Sequence, residues 1–543
     1  MRKILKNTTT KIALSAILVT FLIPSGAKAI DITVNPENRY QTIEGFGASS
    51  VYYNNWLFGH DAAIQKEVCD TAFVGLGLSL LRVGNWHQDL VGAGDDPEAT
   101  NYRKYRIADD PKFIAEGRKR LGDSFKLFMV SYTAPATLKA SNLTHGSGIS
   151  SNNNTLKKEA GQYVYDQFAH WWKISLDEYA KIGISPDYIS IQNEPDWHAD
   201  YESMVLGKTE GSIAGYPQAL KAVADTLATM DNPPLIYGPE PIGIQGTNFQ
   251  DYADALDKND LAGYCYHLYS GNNNQKYNAP DGYNAAFTAI ANQYSDKPII
   301  MSEFSPRDDD ADVQNSDMMN LARIIRNNLI YGNASGYMTW SLIWKQNGQM
   351  VALEDPWNKA SWVNAKGYKI NPEYHGMRHY SKFVRPGWSR IEANSGSPNL
   401  QAVAFASPEN DTISLVLLNI SSAANANIAP ENYRPYSVCQ SQTGGPYSQE
   451  LAFTEEQTDW TIPQNTITTM VFIRSIPNGV VVPQMNQEIP AFYKVYSITG
   501  QLQGCYSYNN FSLAQGIWLV ESLRADGSRI SFFKYRFSNP LHD

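Results

Sequence analysis

Cysteine is scarce: four in 543 residues, with no Cys-x-x-Cys pair. A disulfide framework or a thiolate metal site is therefore not expected. Cys69 falls in a helical stretch and Cys265 in an apolar strand, so both read as buried single thiols, while Cys439 and Cys505 fall in different C-terminal segments. The nine histidines form no ligand-spaced cluster, and no Gly-rich phosphate turn follows the first predicted strand. No metal and no cofactor are expected. Positive charge is also in deficit, with 44 Lys and Arg against 54 Asp and Glu, a net charge of −10. An acidic surface excludes nucleic acid and anionic membrane as partners. The one long apolar run, Ile12–Ile23, is too short for a permanent membrane span. Arg2, Lys3, Lys6 and Lys11 precede it and Ala27-Lys28-Ala29 follows, which reads as an export signal over residues 1–29. No cysteine follows the run before Cys69, so a lipid anchor is not expected, and the destination is secreted, periplasmic or cell-surface.

Aromatic residues, by contrast, are abundant at 12%, with 33 Tyr and 12 Trp. The length calls for more than one core. Between Gln41 and Trp344, short apolar strands alternate with amphipathic stretches. The predicted strands are Ile43–Ala48, Leu78–Val83, Lys126–Tyr132, Tyr188–Asn193, Pro234–Gly238, Gly263–His267, Pro298–Glu303 and Gly336–Trp340. Helical periodicity runs over Ala62–Phe73, Gln162–Ile182, Pro217–Met230, Tyr283–Gln293 and Ser316–Tyr331. Eight such repeats predict an α/β fold, a (β/α)₈ TIM barrel over residues 43–384. After Pro386 the pattern becomes all-β, predicting a side β-sandwich domain over 385–477, with residues 30–42 returning to pair with it. Residues 478–543 read as a small C-terminal β module of hairpins, around Val495–Gln501, Leu513–Val520 and Asp526-Gly527. This module resembles the sorting-type domains of exported Bacteroidetes proteins, although the chain ends without a basic tail.

Two carboxylates carry the chemistry. In Ile189-Ser-Ile-Gln-Asn-Glu-Pro195, an apolar strand ends in Asn193-Glu194 and Pro195 forbids further ladder pairing. Glu194 then sits on the C-terminal rim of a barrel, where active sites lie. Pro298-Ile-Ile-Met-Ser-Glu-Phe304 delivers Glu303 the same way, three strands further round. Two carboxyls facing each other about 5 Å apart suit retaining hydrolysis of a glycosidic bond through a covalent intermediate. In that chemistry Glu303 is the nucleophile, and Glu194 is the acid/base, its pKa raised by a nearby anion. Asn193 is placed to hydrogen-bond a sugar 2-hydroxyl. As a bare tripeptide, Asn-Glu-Pro fits a strand-capping turn equally well.

These motifs, with Gln41-Thr-Ile-Glu-Gly-Phe-Gly-Ala-Ser49, Ile191-Gln-Asn-Glu-Pro-Asp-Trp197, Tyr380-Ser-Lys-Phe-Val-Arg-Pro-Gly387 and Thr468-Thr-Met-Val-Phe472, resemble glycoside hydrolase family thirty over residues 31 to 475, closest to its xylanase and glucuronoxylanase branch. The resemblance implies a barrel with a side β-domain, catalytic carboxylates on strands four and seven, retention, and no cofactor. It marks His267-Leu-Tyr269 as groups near the nucleophile, although His267 also fits a satisfied core histidine. Arg82 is expected to orient Glu303, a role no easier to predict than a structural ion pair. Trp340 and Trp344 read as sugar platforms, with Trp56, Trp86, Tyr132 and Trp197 as further candidates for the same role.

The sequence departs from the family in two places. Tyr132-Thr-Ala-Pro-Ala-Thr137 stands where Trp and Pro-Pro are common. After strand eight, Ile343-Trp-Lys-Gln-Asn-Gly348 offers Lys345 where glucuronate-dependent xylanases offer Arg. Lysine lacks the bidentate fork for a carboxylate, so a strict need for a glucuronosyl branch is not expected. The reading is an exported, monomeric endo-β-1,4-xylanase acting on a polysaccharide. The alternatives are a β-1,6-galactanase or β-1,6-glucanase of the same family, and a non-catalytic carbohydrate-binding protein.

Overall fold

The computed structural model describes residues 29–51, 53–87, 97–269, 279–305, 317–344, 350–475, 492–507, 516–523 and 529–537. The export signal up to residue 28, Lys345 and the Asp526-Gly527 turn lie outside the described residues. Among the described residues no helix is long and apolar enough to cross a membrane.

Eight parallel strands close into a barrel: Gly45–Ser49, Leu80–Gly84, Lys126–Val130, Tyr188–Ser190, Leu235–Pro239, Gly263–His267, Ile299–Glu303 and Gly336–Thr339. Each pairs with the next, and the last closes on the first with Tyr337 opposite Phe46. The two-residue period sorts the side chains. Leu80, Phe128, Tyr188, Tyr237, Cys265, Ile300 and Met338 fill the lumen. Their neighbours Leu81, Leu127, Met129, Ile189, Ile236, Tyr264, Tyr266 and Met301 pack outward into the main core. The lumen is therefore a packed plug that forms the floor of any cavity at the rim.

The outer helices follow the expected apolar stripe. Tyr165–Lys181 buries Phe168, Trp171, Trp172, Leu176 and Tyr179, a spacing of three and four. The long helix Pro97–Leu121 went unpredicted, because Pro111 and a run of charged residues interrupt any apolar stripe.

The side domain is a nine-stranded sheet around its own core of Ile391, Leu400, Ile413, Leu415, Leu417, Ile428, Trp460 and Phe472. Ile30–Thr42 lies inside this sheet, antiparallel to Ser389–Asn394 and parallel to Ala424–Ile428. Among the described residues the chain therefore passes through the side domain before it enters the barrel. Helix Pro372–Ser381 leads back out, and its buried His379 bonds Thr469 Oγ1 at 2.8 Å and Ser441 Oγ at 2.9 Å in that sheet. Burial and the nearby Arg378 charge push His379 well below the usual histidine range, so the ring is neutral. A separate four-stranded antiparallel sheet is built from Phe492–Ser497, Leu502–Ser507, Gly516–Leu523 and Arg529–Phe537.

Cys69, Cys265 and Cys439 are buried free thiols. Burial raises the Cys69 thiol to about 12 and the Cys439 thiol to about 11, so neither is a reactive thiolate.

Candidate active site

The C-terminal ends of strands two to seven converge on one buried polar cluster. Arg82, at 0% exposure, is its hub. Its Nη1 donates to Glu303 Oε2 at 2.5 Å and to the Tyr132 hydroxyl at 2.8 Å. Its Nη2 donates to Asn193 Oδ1 at 2.7 Å, and Nε and Nη2 both reach Glu240 Oε1, at 3.2 and 3.1 Å. One planar guanidinium thus holds five side chains, Ser49 Oγ at 3.5 Å being the fifth, which a lysine ammonium does not match.

His267 completes the cluster. Its Nδ1 lies 2.9 Å from Glu194 Oε1 and its Nε2 3.3 Å from Glu240 Oε1, while Glu303 Oε1 is 4.0 Å from Nδ1. His267 thus lies near Glu303, and its hydrogen-bond partners are Glu194 and Glu240. Carboxylate oxygens of Glu194 and Glu303 lie within 4.8 Å of each other and of a His267 nitrogen.

Local backbone explains how these acids reach the mouth. In the seventh strand, strict alternation would turn Glu303 outward. The register slips between Met301 and Glu303 and sets Glu303 level with His267. Glu194 has φ 43 and Glu240 φ 61, both left-handed and both immediately before proline. Non-glycine residues are uncommon there, and such strain gathers at functional sites.

The electrostatics follow from burial with paired charges. Glu240 would be raised by burial, the largest influence, but Arg82 and His267 overcome it and hold the carboxyl at about 2. His267 would be lowered by burial, but Glu303, Glu194 and Glu240 together raise it to about 9. Glu194 is raised, chiefly by burial and less by Glu303, while His267 opposes the shift. The anticipated cause, a neighbouring anion, is therefore secondary to desolvation. Two cations, Arg82 and His267, face three carboxyls, so the cluster is neutral when one carboxyl keeps its proton. The raised one is Glu194.

The remaining predicted residues divide. Asn193 is 8% exposed, and with Oδ1 engaged by Arg82 its amide nitrogen remains a donor. Tyr132 is 4% exposed, with its hydroxyl held by Arg82. Trp340 and Trp344 are half-buried, with ring centroids 5.5 Å apart, and Trp340 lies 6.4 Å from Tyr132. Tyr269 is half-buried, edge-on to His267. Trp56 is half-buried and packs on Tyr53, away from the carboxyl cluster. Trp197 is 45% exposed just beyond Glu194. Trp86 requires correction: at 1% exposure it stacks flat on Tyr132, 5.2 Å away and 6° from parallel, so it packs that ring in place and offers no sugar platform. Arg82, fully buried, has no face for substrate and holds other residues. Sequence reasoning missed Glu240. The available signal was a second Glu-Pro pair, Glu240-Pro241, directly after the fifth strand, echoing Glu194-Pro195.

Comparison with known proteins finds this barrel-plus-side-sheet architecture in other chains. The chain is 22% identical over 432 residues to glucuronoxylanase XynC of Bacillus subtilis, spanning 74% of this chain and 82% of that protein. It is 23% identical over 431 residues to a candidate glucosylceramidase 2 of Caenorhabditis elegans, spanning 71% and 76%. Among solved structures, the catalytic domain of the GH30 xylanase C of Talaromyces cellulolyticus superposes with a TM-score of 0.63 at 18% identity, covering 81% of this chain and 99% of that one. The endo-β-1,6-glucanase BT3312 gives 0.60 at 18%, covering 83% and 96%. No family model matches the chain.

Proposed function

We propose that the chain is a retaining glycoside hydrolase of family thirty that cleaves a β-linked polysaccharide, with xylan the favoured substrate. One observation carries this reading: Glu194 and Glu303 oxygens within 4.8 Å of each other at the mouth of a barrel. Retaining enzymes place their carboxyls about 5–5.5 Å apart, whereas inverting ones leave room for an intervening water.

Glu303, fixed by Arg82, attacks the anomeric carbon. Glu194 keeps the cluster's spare proton and gives it to the leaving oxygen. His267, as an imidazolium, donates Nδ1–H to Glu194 Oε1, which leaves the proton on the other oxygen, toward the substrate. The departing alcohol and the new glycosyl ester on Glu303 complete the first half-reaction. Glu194, now ionised, takes a proton from water, which displaces Glu303 and preserves the anomeric configuration. Asn193 offers its amide to the 2-hydroxyl, and Trp340 and Trp344 wall the sugar.

Xylan is favoured by the likeness to two xylanases and by Ile191–Trp197. With Lys345 in place of an arginine, cleavage does not require a glucuronosyl branch, and the N-terminal segment supports action outside the cell. A β-1,6-glucan is the second reading, favoured by the likeness to BT3312. The test is reducing-sugar release from glucuronoxylan, unbranched xylan, β-1,6-glucan and β-1,6-galactan by wild type and Glu303→Gln. The proposal requires wild-type release from one of them and loss of nearly all of it in the variant. Identical behaviour of the two proteins would favour a pure carbohydrate binder.

A further inference from the structure

An unbroken series of aromatic rings leads away from the carboxyl cluster. Tyr132 neighbours Trp340 and Trp340 neighbours Trp344; from there Trp344 meets Tyr53 at 4.8 Å, Tyr53 meets Trp56 at 5.1 Å, and Trp56 meets Trp357 at 6.3 Å. The inner rings are buried or half-buried; the first two pairs are tilted and the three from Trp344 outward are set edge to face. The outermost, Trp357, is 64% exposed. It belongs to the segment 354–367, which links Val351–Leu353 to Tyr368–Ile370 in a small three-stranded sheet that comes after the last barrel strand in the chain.

That exposure does not arise from a slack loop. Both carboxylate oxygens of Glu354 accept backbone N–H groups, from Val363 at 2.5 Å and Asn364 at 2.7 Å. The Trp362 indole N–H donates to Asp355 O at 2.6 Å, with Lys359 5.4 Å from the ring centroid and His60 packed against the same ring. The Asp355 side chain accepts the Trp357 backbone N–H at 2.9 Å. Trp357 rests on Gly59, where an added Cβ would meet its Cζ2 at 2.9 Å. The loop half-buries one of its indoles and displays the other. An exposed, rigidly held indole costs little entropy to use and offers a flat apolar face to a ligand.

We infer that Trp357 is a remote subsite that stacks a pyranose ring of the substrate chain, several rings away from the bond being cut, so that the protein prefers polymers over short glycosides. The occupant is the same β-linked chain, because the aromatic series runs without a gap from the reaction centre to this ring. The inference rests on the hydrolase reading above.

The experiment measures kcat/KM on the polymer that wild type cleaves and on a short aryl glycoside of the same sugar. The variants are Trp357→Ala and Trp357→Tyr in the full chain. The ratio of polymer to short-substrate kcat/KM is expected to fall about tenfold in Trp357→Ala, through KM for the polymer, and to recover in Trp357→Tyr. An unchanged ratio, or equal impairment by Tyr and Ala, overturns the inference. If wild type cleaves nothing, the hydrolase reading is what fails. Migration in polysaccharide-containing gels then tests the platform alone: retardation lost in Trp357→Ala supports it, and equal migration of the two proteins overturns it.

Discussion

His267 stands between Glu194 and Glu240, presenting Nδ1 to one carboxylate at 2.9 Å and Nε2 to the other at 3.3 Å. Glu240 touches Arg82 as well, so it bonds to both cations of the cluster while lying outside the reacting pair. Its role is to position and charge the groups that react.

Glu240→Gln should therefore cut kcat more than it raises KM. It should also move the alkaline limb of the pH–rate profile to lower pH, since His267 loses an anion that favours its protonated form. Removing one member of a buried ion pair costs about 3–5 kcal/mol, so a lower melting temperature accompanies the change. A normal pH profile with reduced stability would reduce Glu240 to a purely structural part.

Stability should depend on pH through the same ring. His267 is raised to about 9 when folded, above the unfolded value near 6.5. Its contribution is thus fully present below about pH 6.5 and is lost as pH climbs toward 9. Glu240, held at about 2, contributes above its unfolded value and loses that contribution only in strong acid. Thermal melts of wild type and His267→Asn from pH 6 to 9.5 should converge as pH rises; parallel curves would contradict this.

Arg82→Lys should lower kcat by roughly 10² or more, because an ammonium cannot hold Glu303, Asn193, Tyr132 and Glu240 together. Single-turnover kinetics would place the loss in the glycosylation step. Near-normal turnover would mean that Glu303 needs no such clamp.

Trp86 and Trp340 should separate cleanly. Trp86→Ala removes a fully buried indole and should destabilise the fold by about 3–5 kcal/mol, whereas Trp340→Ala should raise KM with a smaller effect on melting. The reverse pattern would restore Trp86 as a substrate contact.

The barrel was legible because eight apolar strand segments recur between amphipathic helices, and a closed parallel barrel accommodates that repeat. Glu194 and Glu303 stood out because each ends an apolar strand. Glu240 did not, since the strand it follows, Leu235–Pro239, ends in Gly238-Pro239, a pair that reads as a turn in the bare sequence. What periodicity cannot give is side-chain direction beyond a strand's end. Trp86 turns in behind Tyr132, and Trp56 turns out toward Trp357, yet both read alike as rim aromatics. The slip before Glu303 is similarly invisible to a two-residue pattern, although it brings that acid level with His267.

The most direct test is intact-protein and peptide mass spectrometry after incubation with an activated 2-deoxy-2-fluoro glycoside of the sugar that wild type cleaves. The account predicts one added glycosyl group, located on Glu303, accumulating faster than it turns over. Labelling at another carboxylate would contradict it, as would an inverted first product by proton NMR with no covalent adduct.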